Sequence, residues 1–383
     1  MQVYLDNNAT TAPAPEVVET MRRVLAEVPG NPSSIHRPGR AARRILDEAR
    51  ESVAQCLGCQ PREVVFTGGG SESDTLALVG SFLALRDRGK HIVVTAVEHS
   101  AVLAAARWCK EKLGAELSAV PPRPDGTIDP AAVVEALRED TVLVSVMMAN
   151  NETGVLLPIR EIGEVCRQRG IRFHTDAVQA LGKVPIDFGA LPVDLLSASA
   201  HKFHGPKGAG LLLVRSGMRL EPLIVGGGQE RGLRAGTEDT AHVAGLAKAV
   251  ELATDGLRSG VMERVAALRD ALEEALHARI EGLAVNGPEA RALRVPNTLN
   301  ISIPGAEAEA LLIGLDREGI YCSSGSACSS GSIEPSHVLR AMGLPADRLQ
   351  SSLRLSLSRY TRPEEIEYVA EVLPAVAARV RAL

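Results

Sequence analysis

Long apolar runs, an excess of basic charge and regularly spaced cysteines are all missing from this chain of 383 residues. No apolar stretch approaches the ~20 residues that a helix needs to cross a bilayer, so no membrane partner is expected. The opening Met1-Gln2-Val3-Tyr4-Leu5-Asp6 has neither a basic nor an apolar leader segment, and the expected location is cytoplasmic. A formal net charge of −5 gives no basis for direct nucleic-acid binding. The six cysteines (56, 59, 109, 166, 322 and 328) are sparse and irregular, which argues against a disulfide framework. Cys56-Leu57-Gly58-Cys59 is a lone CxxC without a second pair at metal spacing. It reads as a helix end closed by Gly58, and no metal site is expected. Neither GK[ST] nor GxGxxG follows a strand, which disfavours nucleoside triphosphates and dinucleotides. Lysine is also scarce: of 42 Lys and Arg residues only seven are Lys, at 90, 110, 112, 183, 202, 207 and 248. That shortens any search for a reactive amine.

What is present is the composition of a soluble globular protein, 45% apolar and 23% charged, at a length that suggests two domains. Val64 to Phe66, His91 to Val97, Thr141 to Met147, Ile171 to His174, Val193 to Ser197 and Gly210 to Val214 read as buried strands. Ser100 to Leu113, Pro130 to Leu137 and Ile159 to Arg169 carry helical periodicity between them. This alternation predicts an α/β fold with a mostly parallel sheet covered by helices on both faces. A long helix over Val261 to Ile280 then opens a smaller α+β unit, with the joint near residues 254–260. The expected division is a large domain over 15–255 and a small one formed by 1–14 with 256–383.

In open α/β sheets ligands bind at the carboxyl ends of the strands. The first predicted strand leads into Thr67-Gly68-Gly69-Gly70-Ser71-Glu72-Ser73-Asp74, a glycine turn opening a helix, with Ser71 and Asp74 spaced as a capping box. Such a helix start suits a phosphate. Later strands deliver Glu98-His99-Ser100, then Asn150-Asn151-Glu152-Thr153-Gly154, then Asp176-Ala177-Val178-Gln179. The fifth strand, Val193 to Ser197, delivers Ser199-Ala200-His201-Lys202-Phe203-His204-Gly205-Pro206. A lysine between histidines at a strand end becomes sensible if Lys202 carries an aldehyde cofactor as a Schiff base, since neighbouring cations and desolvation make a lysine nucleophilic. Pyridoxal 5′-phosphate accounts for the other strand ends. Its phosphate needs the helix start at Gly70 and Ser71, its ring nitrogen needs a carboxylate such as Asp176, and its ring needs a stacking partner such as His99.

The run Ser323-Ser324-Gly325-Ser326-Ala327-Cys328-Ser329-Ser330-Gly331-Ser332 places one thiol among small residues with little to bury. By composition it reads either as a Gly/Ser linker or as an arm that makes Cys328 available for chemistry.

Together these motifs resemble the cysteine desulfurases, the NifS/IscS-like branch of the class V aminotransferase family of PLP enzymes of fold type I. The resemblance runs nearly end to end, from Tyr4-Leu5-Asp6-Asn7-Asn8-Ala9-Thr10-Thr11 through His201-Lys202 and Gly232-Leu233-Arg234-Ala235-Gly236-Thr237. It closes on Ser324 to Cys328 and on Ser351-Ser352-Leu353-Arg354-Leu355-Ser356. It implies that Lys202 holds the cofactor aldehyde, that His99 stacks on the ring and serves as acid/base, and that Asp176 pairs with the ring nitrogen. It places Asn151 and Gln179 near the ring's 3′-oxygen. Gly70, Ser71, Ser199 and His201 hold the phosphate with Thr237 of a second subunit, so a homodimer is implied. Arg354, with Asn151, binds the substrate carboxylate, and Cys328 takes the sulfur of L-cysteine as a persulfide.

An iron–sulfur scaffold or another sulfur acceptor is the implied protein partner. A selenocysteine lyase or a class V aminotransferase on the same scaffold is the alternative; the latter needs no thiol on an arm. Two departures stand out. The sequence stops at Leu383 without the tail that often engages the scaffold protein, which leaves partner docking open. Cys322 stands where an apolar residue is expected and reads as a small filler at a strand end, with a resolving role toward Cys328 as the other possibility.

Overall fold

The β-branched runs form strands because the sheet they enter is covered on both faces. The computed structural model describes residues 1–324 and 336–382. Its strands in chain order are β1 (Val3–Tyr4), β2 (Val64–Thr67), β3 (His91–Thr95), β4 (Glu116–Val120), β5 (Thr141–Ser145) and β6 (Arg172–Asp176). They continue with β7 (Leu195–Ser199), β8 (Gly210–Val214), β9 (Ala284–Val285), β10 (Thr298–Ser302), β11 (Ile320–Tyr321) and β12 (Ser352–Ser356). Seven of them form one sheet in the order β2-β8-β7-β6-β5-β3-β4. Only β8 runs antiparallel to its neighbours, β2 and β7. The expected mostly parallel α/β sheet is therefore present.

Alternation along the strands divides the apolar residues between two cores. Val64, Phe66, Val93, Val144 and Leu196 pack with Leu46, Val53 and Ile162. Val65, Ile92, Val94, Leu143 and Leu195 pack on the other face with Phe82, Val102 and Cys109. Burying one such side chain stabilises the fold by roughly 1.5–3 kcal/mol, so both layers hold the sheet firmly. The helices Ser100–Leu113 and Ile159–Arg169 have the predicted bounds and end on Gly114 and Gly170 in the left-handed conformation.

One strand of the large sheet escaped the sequence reading. β4 lies at the sheet edge, is only partly buried apart from Val120, and pairs with β3 alone. Its Glu116-Leu117-Ser118-Ala119 has neither the β-branched run of the inner strands nor strict alternation. The capping box expected of Ser71 and Asp74 is also absent. The helix Gly70–Thr75 is capped two residues earlier, by Gly69, without a side-chain cap, and Asp74 is buried inside it.

The helices Thr240–Arg258 and Val261–Arg279 meet at Gly260, whose φ of 77° breaks the helical path. Beyond it a further core gathers Leu276, Leu311, Leu353 and Val369 around an antiparallel β12-β10-β9 sheet. Val3 and Leu5 from the start of the chain join this core, and β1 pairs in parallel with β11. Residues 6–12 then run back toward the carboxyl end of the large sheet.

The tightest joint between sheet and loops is Gly210 on β8. A Cβ there would meet the backbone of Gly69 at 2.6–2.8 Å, and backbone cannot yield as a flexible side chain can. Gly210→Ala should lower unfolding free energy by about 1–3 kcal/mol, the usual range for overpacking. A urea midpoint equal to wild type would contradict this packing.

Candidate active site

Five strand ends of the large sheet converge on one cavity of about 230 Å³. Gly70 and Ser71 come from the β2 side, His99 follows β3, and Met147 and Asn151 follow β5. Asp176, Val178 and Gln179 come from β6, while Ser199, His201 and Lys202 come from β7 and its following turn. An adjoining space of about 430 Å³ shares Gly70, Ser71, Ser199 and His201 and adds Thr10 and Lys207. Nine residues expected from sequence thus meet in one place. A further cavity of about 350 Å³ lies at the opposite strand ends, beside Thr141 and Ile171. Its Arg138 is already paired with Glu116 and Asp140.

Lys202 ends the short 3₁₀ turn Ala200–Lys202, which closes β7. Its Nζ donates to the carbonyls of Asn8 and Ala9, at 2.6 and 2.7 Å. The amine is thus aimed by the returning N-terminal segment. Thr11 donates its backbone N–H and its hydroxyl to the His201 carbonyl, both at 2.9 Å. His201 faces Thr10 Oγ1 at 3.1 Å, and burial with nearby Lys202 lowers its pKa to about 4. It is a neutral ring at physiological pH.

His99 caps the helix Ser100–Leu113, its Nδ1 accepting the Ala101 N–H at 3.2 Å. A neutral ring then carries its proton on Nε2. Asp176 is buried at the end of β6, and its Oδ1 accepts the Val178 N–H at 2.8 Å. Burial raises its pKa, opposed by His99, by the Val178 N–H and by Lys202. The spacing of Asp176 and Gln179 is not that of a helix: Gln179 turns back to donate Nε2 to the Asn8 carbonyl at 2.9 Å. Its Oε1 accepts from Lys183, a fully buried lysine held well below its ordinary pKa by burial and then by the Lys202 and Arg354 charges.

Asn151 lines the cavity from a turn built by Asn150, whose Oδ1 accepts from Glu152 N, Thr153 N and Thr153 Oγ1. The buried Asn151 Oδ1 has no partner. Gly70 sits so close to the β6 loop that a Cβ would meet Val178 at 2.9 Å and Ser199 at 3.5 Å. Gly69, at φ 151°, makes the turn that lets the helix start face this space.

Three expected residues stand elsewhere. Arg354, almost fully buried on β12, is not in the cavity wall. Its Nη2 pairs with Asp6 at 2.9 Å and its Nη1 donates to the Asn151 carbonyl at 3.1 Å, while Nε is buried without a partner. Thr237 is exposed and outside this chain's own cavity. Cys328 lies outside the described residues. Its described flanks reach the site region: Ser323 donates to Asp6 Oδ1 at 2.7 Å, and His337 Nε2 is 3.0 Å from the Glu98 carbonyl. Cys322 follows β11, with its thiol pushed up to about 12 by burial, as fits a filler rather than a nucleophile.

The sequence reading missed Asn8, Asp74, Glu98 and Lys183. Asn8 bonds across more than 140 residues of chain, and no local pattern encodes that. Glu98 was visible beside His99, yet nothing in the sequence distinguishes a buried carboxyl from an exposed one. It accepts from Thr95 Oγ1 at 2.6 Å and Met147 N at 2.9 Å, and burial raises its pKa to about 8.

The chain matches the model of the family described as Aminotransferase class-V over residues 3–369. It is 46% identical over 375 residues to a cysteine desulfurase IscS of Clostridium botulinum (strain Kyoto / Type A2), covering 98% of this chain and 94% of that protein. A cysteine desulfurase IscS of Methanosarcina thermophila is 45% identical over 379 residues, covering 99% and 93%. Among solved structures, a NifS-like protein aligns with a TM-score of 0.93 at 36% identity, over 99% of this chain and 100% of its own. A NifS-like protein from Rickettsia africae ESF-5 aligns at 0.88 and 32% identity, over 99% and 100%.

The buried Glu98 makes a pH prediction. Folded Glu98 keeps its proton up to about pH 8, whereas in the unfolded chain it ionises near its ordinary value of ~4.3. Between these limits the folded state binds more protons, so this group's contribution to stability falls as pH rises. Glu98→Gln should therefore gain stability relative to wild type from about pH 5 to pH 8 and level off above. Urea midpoints of both proteins across that range measure it; a constant difference would mean that Glu98 is ionised in the fold.

Proposed function

Because the chain belongs to the class-V aminotransferase family, we propose that it is a cysteine desulfurase dependent on pyridoxal 5′-phosphate, taking sulfur from L-cysteine and releasing L-alanine. The observation that carries this reading is the meeting of Lys202, Asp176, His99 and the Gly70–Ser71 helix start on one cavity.

The residues fit the cofactor. The helix start at Gly70 has N–H groups with no carbonyl of a preceding turn to satisfy them, in a space where a Cβ at Gly70 would collide with Val178. Ser199 and His201 face the same space. Asp176 is the carboxylate for a protonated ring nitrogen, and Gln179 and the unpartnered Asn151 Oδ1 are polar groups for the ring edge. When bound, the cofactor supplies an aldehyde for amines and an electron sink for the substrate's Cα.

The chain's own residues then divide the work. Lys202 Nζ, aimed by two carbonyls, would hold the cofactor and, once displaced from it by the substrate's amine, would take the proton from the substrate Cα. His99 Nε2 carries a movable proton at the cavity wall. Arg354 is the guanidinium for the substrate carboxylate, with Asp6 as its partner in the absence of substrate. Cys328 attacks the substrate sulfur: the S–S bond forms as the Cβ–S bond breaks, leaving a persulfide and, after protonation, alanine.

The finer features of this reading are a homodimer in which Thr237 completes the partner's phosphate site, a cytoplasmic location and delivery of sulfur to an iron–sulfur scaffold or other acceptor. The exposure of Thr237 and the presence of Gln229 and Arg234 contacts that fix its loop support the first. Among the described residues no helix is long and apolar enough to cross a membrane. The division into 15–255 and 1–14 with 256–383 is part of the same reading, supported by the separate core that Val3 and Leu5 join.

Lys202→Ala should abolish the cofactor's visible absorption band in the purified protein, and an unchanged band would sink the cofactor assignment. Cys328→Ala should keep the band while alanine formation from cysteine falls at least about 10³-fold, as expected for loss of a nucleophile. Turnover near the wild-type rate would remove Cys328 from the mechanism.

A further inference from the structure

Beneath the cavity, three carboxyl side chains are buried together: Asp74, Glu98 and Asp176. One carboxyl oxygen each of Asp74 and Asp176 and one ring nitrogen of His99 all lie within 4.8 Å of one another. Two buried carboxylates this close cannot both ionise cheaply, so one must hold a proton. Their surroundings differ. Asp176 has the Val178 N–H on Oδ1 and the His99 ring and Lys202 amine near it, all of which favour its charged form. Asp74 is fully buried in the helix Gly70–Thr75, with Oδ1 unpartnered. The Ser197 hydroxyl on β7 favours its charged form, while burial and both Asp176 and Glu98 oppose its ionisation.

The histidine beside Asp74 offers it no charge. His174 Nε2 stands 3.7 Å from Asp74 Oδ1, but both ring nitrogens already face hydroxyls, Ser145 at 2.8 Å and Ser197 at 2.9 Å. Complete burial lowers the His174 pKa to about 3, so the ring is neutral. Glu98, from the end of β3, is itself protonated at neutral pH. His99 is the other imidazole within reach, its nitrogen within 4.8 Å of both carboxyls, and its favourable influence falls on Asp176.

We propose that Asp74 is a positioning residue that holds a proton throughout the working pH range, so that Asp176 is the one ionised carboxylate beneath the cofactor ring. Resting on the cofactor reading above, this gives the site a single negative charge at the place where the ring nitrogen needs it. A second carboxylate would draw the proton of Asp176's partner into competition; a protonated Asp74 fills the space beside Asp176 without that charge.

Carbon-13 labelling of the aspartate carboxyls in the pyridoxal phosphate-loaded protein tests this directly. In wild type, one aspartate carboxyl signal should remain in the protonated position across neutral pH, and Asp74→Asn should remove it. The pH midpoint of the cofactor absorption band should stay within about 0.3 unit of wild type in that variant, because no charge has been lost. Three results would overturn the proposal: no protonated aspartate in wild type, a protonated signal that survives Asp74→Asn, or a band midpoint moved by about one unit or more. Asp74→Ser makes the same test if the amide variant fails to fold, and the wild-type spectrum decides by itself if both fail. A wild-type protein that takes up no cofactor would instead refute the cofactor reading on which the test is built.

Discussion

Asn8 is the joint on which the site depends. Its carbonyl accepts from Lys202 Nζ at 2.6 Å and from Gln179 Nε2 at 2.9 Å. Its side-chain amide donates to the Asn151 carbonyl at 3.1 Å and to Thr298 Oγ1 at 2.8 Å, and its Oδ1 accepts from Lys183 and Asn297. Its own N–H donates to Ser356 Oγ at 2.9 Å. One buried residue thus links the β5, β6 and β7 loops to β10 and β12 of the second sheet. Each such bond contributes only about 0.5–1.5 kcal/mol net, but leaving any of these buried groups unmade costs about 1–3 kcal/mol. The network therefore forms whole, and Lys202 is oriented only when the N-terminal segment is in place.

That geometry has an electrostatic counterpart. Lys202 and Arg354 lie near enough to act on Lys183 by charge, and Asp176 and Glu98 act likewise on Asp74. Burial pushes Lys183, Asp74, Glu98 and Asp176 toward their neutral forms, so the site does not need a matched set of ion pairs. Lys183 illustrates the point: among the described residues it pairs with no carboxylate, is held by the amide oxygens of Asn8 and Gln179, and is pushed by burial toward the neutral amine. A neutral lysine there fixes Gln179 by hydrogen bonding while adding little repulsion to Lys202. The order of the sheet makes this possible. The strands that bring Asn151, Asp176 and Lys202 are the adjacent β5, β6 and β7, so their ends are separated by neighbouring strand spacings of ~5 Å.

The parts of this arrangement legible in sequence were those encoded locally. Six strands of the large sheet announced themselves because both of their faces are buried. The residues just after them, including His99, Asp176 and Lys202, could be assigned to a site because strand ends in such sheets share one edge. Edge strand β4 was illegible because only Val120 of its five residues is buried and its residues follow no strand pattern. Asp74 was misread as a cap since Ser71 and Asp74 have the spacing of one; only its burial against β7 reveals another environment. Lys183 was counted among the scarce lysines but carried no motif of its own. Asn8 belonged to a segment noticed only for its likeness to a family, because its partners lie as far as residue 356.

Arg354 shows how the same frame serves the substrate side. A guanidinium with 1% of its side chain exposed is stable only with an anion and with acceptors for its remaining donors. Asp6 supplies the anion and the Asn151 carbonyl one acceptor, leaving Nε unmatched. The Asn151 carbonyl also accepts from Asn8, so Arg354 and Lys202 are held by networks that meet at the same two asparagines. Asp6 further accepts from Ser323, on the segment leading toward Cys328. Lysine could not take the place of Arg354, because one ammonium cannot span Asp6 and Asn151 with the fixed fork of a guanidinium. The group proposed for the substrate carboxylate and the amine proposed for the cofactor are therefore registered against each other by a few residues at the start of the chain. Their separation is set by backbone carbonyls rather than by flexible side chains.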